Sequence, residues 1–206
     1  MLIFLDGFFK YLKEADQWLF LKINSQWTNP VFDFVLPVYR DQLFWMPLYV
    51  FLFVFMVMNF KQHSIRWFLL IAITLIFCDQ LSSHIIKPWI GRLRPCQDPD
   101  LLGQAKLLLG YCPGNRSFTS SHATNHFGAG VFIFFTLRND FKKYAVLFLL
   151  WAASVCYAQV YIGVHYPLDV LGGAILGSII GLLIAKLYLS KYIFSQDLRH
   201  HNAVLK

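Results

Sequence analysis

Long apolar runs separated by short polar stretches set the pattern of this 206-residue chain. A membrane-crossing helix needs about 20 mostly apolar residues, and five windows meet that requirement: 43–60, 67–86, 120–137, 144–164 and 168–189. Formal charge inside them is confined to Asp79 in the second and to Asp169 and Lys186 near the ends of the fifth. The windows take up nearly half the chain, so the connecting segments carry almost all of its charge. The pattern predicts an all-α integral membrane helical bundle of about five transmembrane helices.

Residues 1–42 follow a different rhythm. Phe4, Phe8, Phe9, Trp18, Leu19 and Phe20 recur among Lys10, Lys13, Glu14, Asp16 and Lys22, which predicts a helix lying in the interface plane. A cleaved signal peptide is not expected, because the apolar start is short, contains Asp6 and lacks a basic lead. The expected organisation is an interfacial segment over 1–42, a transmembrane domain over 43–190 with an outer loop at 87–119, and a cytoplasmic tail over 191–206.

Composition supports lipid as the solvent. The chain is 57% apolar and 14% charged, where soluble proteins average about 25% charged, and it still carries a net charge of +7. Lys61 and Arg66, then Arg138, Lys142 and Lys143, and then Lys191, Arg199 and Lys206 fall between or after spans on what the positive-inside rule makes the cytoplasmic side. A crude count nevertheless gives nine basic residues on each side, and five of the outer nine crowd into 87–116. Cys96 and Cys112 flank the same outer loop while Cys78 and Cys156 lie in spans. In an oxidising compartment a Cys96–Cys112 bridge would be worth roughly 3 kcal/mol on the chain-entropy model. Two unpaired thiols are the alternative.

Three polar clusters sit at the outer ends of the spans. Lys87 to Pro95 holds Lys87, Arg92 and Arg94, with Pro88, Gly91 and Pro95 fixing the backbone. Plain snorkelling toward head groups is the competing reading. Arg116 to His122 opens the third span with hydroxyl residues that suit helix capping, and a helix start is also a ready anion site. His126 follows His122 at a spacing that suits zinc, but no nearby carboxylate or cysteine completes a ligand set, and no metal is expected. Gln159 to Asp169 crosses from the fourth span to the fifth, where Asp169 is placed to reach back to His165, fix its tautomer and aim the other nitrogen outward. Cations, a helix-end anion site and two histidines on one face describe phosphoryl transfer. Asp79, Gln80, Ser82, Ser83 and His84 are expected to brace the loop carrying Lys87.

At these residues the sequence resembles the type 2 phosphatidic acid phosphatase superfamily, which includes the vanadium haloperoxidases. Lys87 through Arg94-Pro95 matches its first motif, Lys, six residues, Arg-Pro. Thr119-Ser120-Ser121-His122 matches the second, Pro-Ser-Gly-His, at Ser and His. Ala158-Gln159 through His165 to Asp169 keeps the His and Asp of the third, Ser-Arg, five residues, His, three residues, Asp. The resemblance implies that His165 attacks phosphorus and forms a phosphohistidine, Asp169 orients it and His122 protonates the leaving oxygen. It makes Lys87, Arg94, Ser120 and the Ser121 N–H the phosphate ligands, with no metal or cofactor. Gln159 in place of Arg removes a charge and a bidentate donor, and Arg116 or Arg92 is expected to replace it.

The resemblance further implies an amphiphilic lipid phosphate as substrate, with membrane lipids around the protein and no nucleic-acid partner. Undecaprenyl diphosphate is the leading expectation, from family frequency alone. Phosphatidylglycerophosphate, phosphatidic acid and lipid A phosphate follow. The site would face the periplasm or exterior of a bacterial cytoplasmic membrane, with the C-terminus cytoplasmic. A catalytically inactive anion-binding or transport protein is the rival class, although transport calls for mid-span polar residues that these windows lack.

Overall fold

The computed structural model describes residues 2–204, with side chains described over 7–190. Every regular element among them is helical. Helix α1 (Leu2–Leu21) is followed by α2 (Pro30–Tyr39), α3 (Met46–Phe60) and α4 (Gln62–Asp79). A π-helical segment (Gln80–Ile86) then leads into the short α5 (Lys87–Ile90), and α6 (Ser121–Phe141), α7 (Val146–Tyr161) and α8 (Pro167–Val204) complete the chain. Among the described residues, four stretches are long and apolar enough to cross a membrane: 43–60, 62–101, 121–161 and 167–190. The third contains both α6 and α7, joined at Lys142, where φ is +52°. His126 meets Trp151 and Gly130 meets Phe148 across the pair, so α7 runs back antiparallel along α6. The side chains of the expected tail over 191–206 lie outside the described residues, and the helical backbone of α8 continues into it.

Helix packing in lipid has no hydrophobic drive and depends on close van der Waals fit, for which small residues are suited. The closest fit here is between α6 and α8. Gly173, Gly177 and Gly181 form one stripe on α8, and they face Ser120, Thr124 and Gly128 of α6 in the same order. The pairing is therefore parallel, and both helices start at the same end of the bundle. A Cβ at Gly177 would overlap the backbone carbonyl oxygen of Thr124. Helix α4 runs antiparallel to α6, with Trp67 Nε1 donating to Thr136 Oγ1 at 2.9 Å near one end and Ser82 Oγ within 3.1 Å of Ser121 Oγ near the other. The end of α4, the starts of α6 and α8 and the end of α7 thus converge on one face.

The N-terminal helices cover that face. Phe8, Phe9 and Trp18 of α1 stay exposed, while Asp16 and Phe20 turn inward and are buried. Phe20 packs with Ala123, Val160, Tyr166 and Val170, a burial worth about 1.5–3 kcal/mol in an aqueous layer. Asn24 is fully buried, donating to the carbonyls of Lys106 and Tyr161 at 2.7 Å each and accepting from Lys106 N at 2.7 Å. Segment 1–42 therefore docks on the outer loop and on the turn between α7 and α8 as well as presenting an apolar face outward. Gly177→Val is expected to force α6 and α8 apart, since a carbonyl cannot rotate aside as a side chain does. Overpacking of this kind costs about 1–3 kcal/mol or more. A lowered unfolding midpoint in detergent, absent for Gly110→Ala where the added methyl meets open space, is the check.

Candidate active site

Where these helix ends meet lies a cavity of about 220 Å³ whose lining includes Arg40, Lys87, Arg94, His122, Gln159 and His165. Its lining holds no carboxylate. Ser83, Ser121, Tyr111 and Asn115 also border it.

His165 sits in the turn between α7 and α8. Gly163 makes that turn at φ +91°, against the carbonyl of Lys106, and Pro167 starts α8 at a position where its missing N–H costs nothing. Arg94 Nη1 lies 3.1 Å from His165 Nε2. A guanidinium only donates, so Nε2 presents its lone pair and the ring proton resides on Nδ1. Behind Nδ1 stand Ser117 Oγ at 3.4 Å and Asp169 Oδ2 at 3.7 Å. Asp169 is held on every side: Oδ2 accepts from Ser117 Oγ at 2.5 Å and Tyr166 N at 2.8 Å, and Oδ1 accepts from Arg92 Nη1 at 2.8 Å. Burial pushes the His165 pKa down to about 4, with the charges of Arg94 and Lys87 adding to the fall and the Asp169 carboxylate opposing it. The imidazole is neutral at pH 7.

The cations of this face divide into two sets. Arg92 bridges two carboxylates, donating to Asp169 and, at 2.5 Å, to Asp16 Oδ2, and its guanidinium stacks on Tyr166 at 4.1 Å. Lys106 pairs with Asp33 at 2.5 Å and Lys13 with Asp100 at 2.7 Å. The cations lining the cavity are not matched this way. Lys87 Nζ donates to the Thr119 carbonyl at 2.7 Å. Arg94 donates to the Val164 carbonyl at 2.8 Å and the Asn115 carbonyl at 2.9 Å. Arg40 Nη2 reaches His122 Nε2 at 3.5 Å.

Helix α6 begins beside these cations. Ser120 caps it, its buried hydroxyl accepting from Ala123 N at 3.4 Å and its O–H still free to donate. The N–H groups of Ser121 and His122 have no acceptor within the helix. Ser121 Oγ is tied to Ser83 Oγ at 2.8 Å, and Ser83 donates to Asp79 Oδ1 at 3.0 Å. The polar end of α4 thus braces the start of α6 as well as leading into Lys87. His126 Nδ1 donates to the His122 carbonyl at 2.8 Å. No three His, Cys, Asp or Glu side chains gather as a metal-ligand set among the described residues.

Of the residues expected at the site, Lys87, Arg94, Ser121, His122, Gln159 and His165 line the cavity and Asp169 supports it from behind. Neither cation expected to replace the missing arginine does so. Arg92 is engaged behind His165 by Asp16 and Asp169, and Arg116 is exposed and outside the lining. Arg40, Tyr111, Asn115 and Ser117 were not anticipated. The conformation of the outer loop is what brings the last three in, and no local sequence pattern marks it. Within that loop Cys96 and Cys112 are bonded.

An all-helical, membrane-spanning bundle with a cationic, two-histidine cavity at one end is the architecture of a membrane phosphatase. The chain matches the PAP2 superfamily over residues 66–192 and belongs to it. It is 30% identical to a lipid A 4'-phosphatase of Porphyromonas gingivalis over 200 residues, 95% of this chain and 83% of that one. It is also 30% identical to a lipid A 4'-phosphatase of Bacteroides thetaiotaomicron over 177 residues, 84% of this chain and 77% of that one. An undecaprenyl-diphosphatase of Sulfolobus acidocaldarius is 29% identical over 148 residues, 70% and 64% of the two chains. The fold is shared with a phosphatidylglycerolphosphate phosphatase from Bacillus subtilis at a TM-score of 0.65 and 23% identity, covering 88% of this chain and 87% of that one.

The bridge closes the segment that delivers Asn115 to Arg94. Replacing both Cys96 and Cys112 with Ser is expected to lower stability by roughly 3 kcal/mol and to raise KM more than it lowers kcat. Unfolding midpoints and kinetics with and without reductant read this out, and the absence of a reduction-sensitive gel shift in the parent would refute it.

Proposed function

We propose that this phosphatase removes a phosphate monoester from a lipid A-type glycolipid through a phosphohistidine at His165. The observation that carries the mechanism is the His165 ring, with its Nε2 lone pair beside Arg94 in the cavity and its Nδ1 face turned to Ser117 and Asp169. In the first step Nε2 attacks phosphorus and the bond from phosphorus to the lipid oxygen breaks. That oxygen takes a proton from His122, which can carry one only once the anionic phosphate offsets the neighbouring Arg40, while Asp169 offsets the positive charge developing on His165. In the second step water attacks phosphorus and gives a proton to His122. The P–N bond breaks and inorganic phosphate leaves. Lys87, Arg94 and the N–H groups opening α6 neutralise the oxygens throughout.

The choice of lipid is supported by the two relatives that act on lipid A 4'-phosphate and align with most of this chain. An amphiphile is also favoured by a second cavity of about 560 Å³ that begins at Asp79, Asn125 and His126, one helical turn past His122, and runs along Ala129 and Ile133 toward Trp67. Undecaprenyl diphosphate stands second, on the more distant archaeal relative. Placing the site on the periplasmic or outer face of a bacterial cytoplasmic membrane is supported by Lys61, Arg66, Arg138, Lys142 and Lys143 at the opposite end and by the bonded cysteines beside the cavity.

Purified protein offered lipid A, undecaprenyl diphosphate, phosphatidic acid and phosphatidylglycerophosphate is expected to show its highest kcat/KM for lipid A. His165→Ala should lose at least about 10³-fold of it. Release surviving in that variant sinks the mechanism, and preference for the isoprenoid diphosphate transfers the reading to the second substrate. The protonation state has its own check. Because attack needs the unprotonated ring and the pKa is depressed, His165 should stay competent well below pH 6.5 and be lost only as pH falls through about 4. The ¹⁵N shifts of the His165 imidazole should report the Nδ1–H tautomer at pH 7. Titration near 6.5 would contradict this.

A further inference from the structure

Gln159 is fully buried at the cavity wall, and neither its amide nitrogen nor its amide oxygen has a hydrogen-bond partner. A buried amide left unpaired costs about 1–3 kcal/mol, so its placement calls for a polar group in the cavity. Arg40 reaches the same cavity from a separate part of the chain, and it lies outside residues 66–192 matched by the family. Its placement is fixed by side chains. Asn29 caps α2, accepting from Phe32 N at 2.9 Å. Tyr161 Oη then donates to Asp33 Oδ1 at 2.8 Å, and Tyr39 Oη lies 2.5 Å from Ser154 Oγ. These bonds clamp α2 along α7, the helix that carries Gln159, and Arg40 follows directly as the C-cap of α2.

The charge inventory points the same way. No carboxylate pairs with Arg40 among the described residues, whereas Lys106 and Lys13 each have one and Arg92 has two. A half-buried guanidinium, a histidine nitrogen 3.5 Å away and an unpartnered amide need an acceptor-rich group that serves all three. A phosphoryl group, with three oxygens and two negative charges, has that chemistry.

We infer that Arg40 is the third cation of the phosphate site. It supplies from the N-terminal segment the charge absent at position 159, and Gln159 contributes a neutral hydrogen bond to the same phosphoryl group. The inference rests on the phosphatase reading, and it makes segment 1–42 part of the site. Arg40 places its charge beside His122, where the leaving oxygen would sit, while Arg94 faces His165.

Arg40→Ala is expected to weaken competitive inhibition by inorganic phosphate at least tenfold and to lower kcat/KM by on the order of 10²-fold. Arg40→Lys should recover part of both. Gln159→Arg placed in the Arg40→Ala background should restore at least tenfold of both by returning the charge from the other helix. Arg138→Ala, at the far end of α6, controls for loss of one positive charge. Unchanged phosphate inhibition in Arg40→Ala overturns the inference, and so does a loss of activity that neither Arg40→Lys nor the relocated arginine recovers. If Arg40→Ala does not fold, Arg40→Lys is compared with Arg40→Gln, and equal phosphate affinity in the two overturns it. Phosphate and vanadate binding to the purified protein, followed calorimetrically, tests Arg40 even if the parent hydrolyses no lipid offered. That outcome would fell the lipid-phosphatase reading while Arg40 is still decided.

Discussion

The packing of α8 on α6 through Gly173, Gly177 and Gly181 is the constraint on which the site depends. With no side chains between them the two backbones meet in parallel, and their first turns lie side by side. One first turn carries Ser121 and His122, and the other begins just after His165 and holds Asp169. The register also lets Ser120 N donate to the Asp169 carbonyl at 3.0 Å, a direct strut between the two helix starts. The proposed nucleophile, just before α8, and the proposed proton donor, on α6, need such a fixed separation, because misplacement by about 1 Å can cost on the order of 10²-fold in rate. Lipid supplies no hydrophobic force to hold them. Steric fit of small residues does so instead.

On this frame the charges are arranged in layers. Behind His165 the carboxylates of Asp169 and Asp16 share Arg92, and Asp16 Oδ1 also accepts from Leu168 N at 2.9 Å. In front of it stand Arg94, Lys87 and Arg40. A neutral imidazole between a negative layer and a positive one keeps its proton on the side of the carboxylates and its lone pair on the side of the cations. The same order serves both steps of the proposed reaction, because the ring gains positive charge toward the carboxylates while the phosphoryl oxygens meet the cations. Arg92 thus stands behind the proposed nucleophile. Its proximity in sequence to Arg94 concealed that, since the two arginines point to opposite sides of the same histidine.

Much of the fold was legible because bilayer thickness sets a length that hydropathy windows register directly. The windows 120–137, 144–164 and 168–189 coincide with α6, α7 and the first part of α8 to within a few residues. Local spacing also delivered Lys87, Arg94, His122, His165 and Asp169, since each lies at a helix end or in the turn between two helices. What stayed hidden depends on long-range packing. Arg40 is 119 residues before Gln159, and only the clamp of α2 on α7 joins them. Crowding of five basic residues within 87–116 drew attention away from Arg40, yet two of the five, Arg92 and Lys106, are paired with carboxylates. The stripe Gly173, Gly177, Gly181 was present at a spacing of four and signals close helix approach, although it does not say which helix approaches.

The N-terminal segment combines an exposed apolar surface with buried polar contacts to the bundle. A helix that only lay in the head-group layer would turn its polar residues to water, yet Asp16 is buried and Asn24 fully so. Desolvating a carboxylate costs several kcal/mol unless it is paired and hydrogen-bonded, and Asp16 meets that condition only by docking on Arg92 and Leu168 N. Docking α1 therefore fixes Arg92, which fixes Asp169 and through it the face of His165. Docking α2 fixes Arg40 at the opposite wall. The two halves of segment 1–42 thus reach the proposed nucleophile from behind and the cavity from in front, so the segment's attachment to the bundle positions both walls.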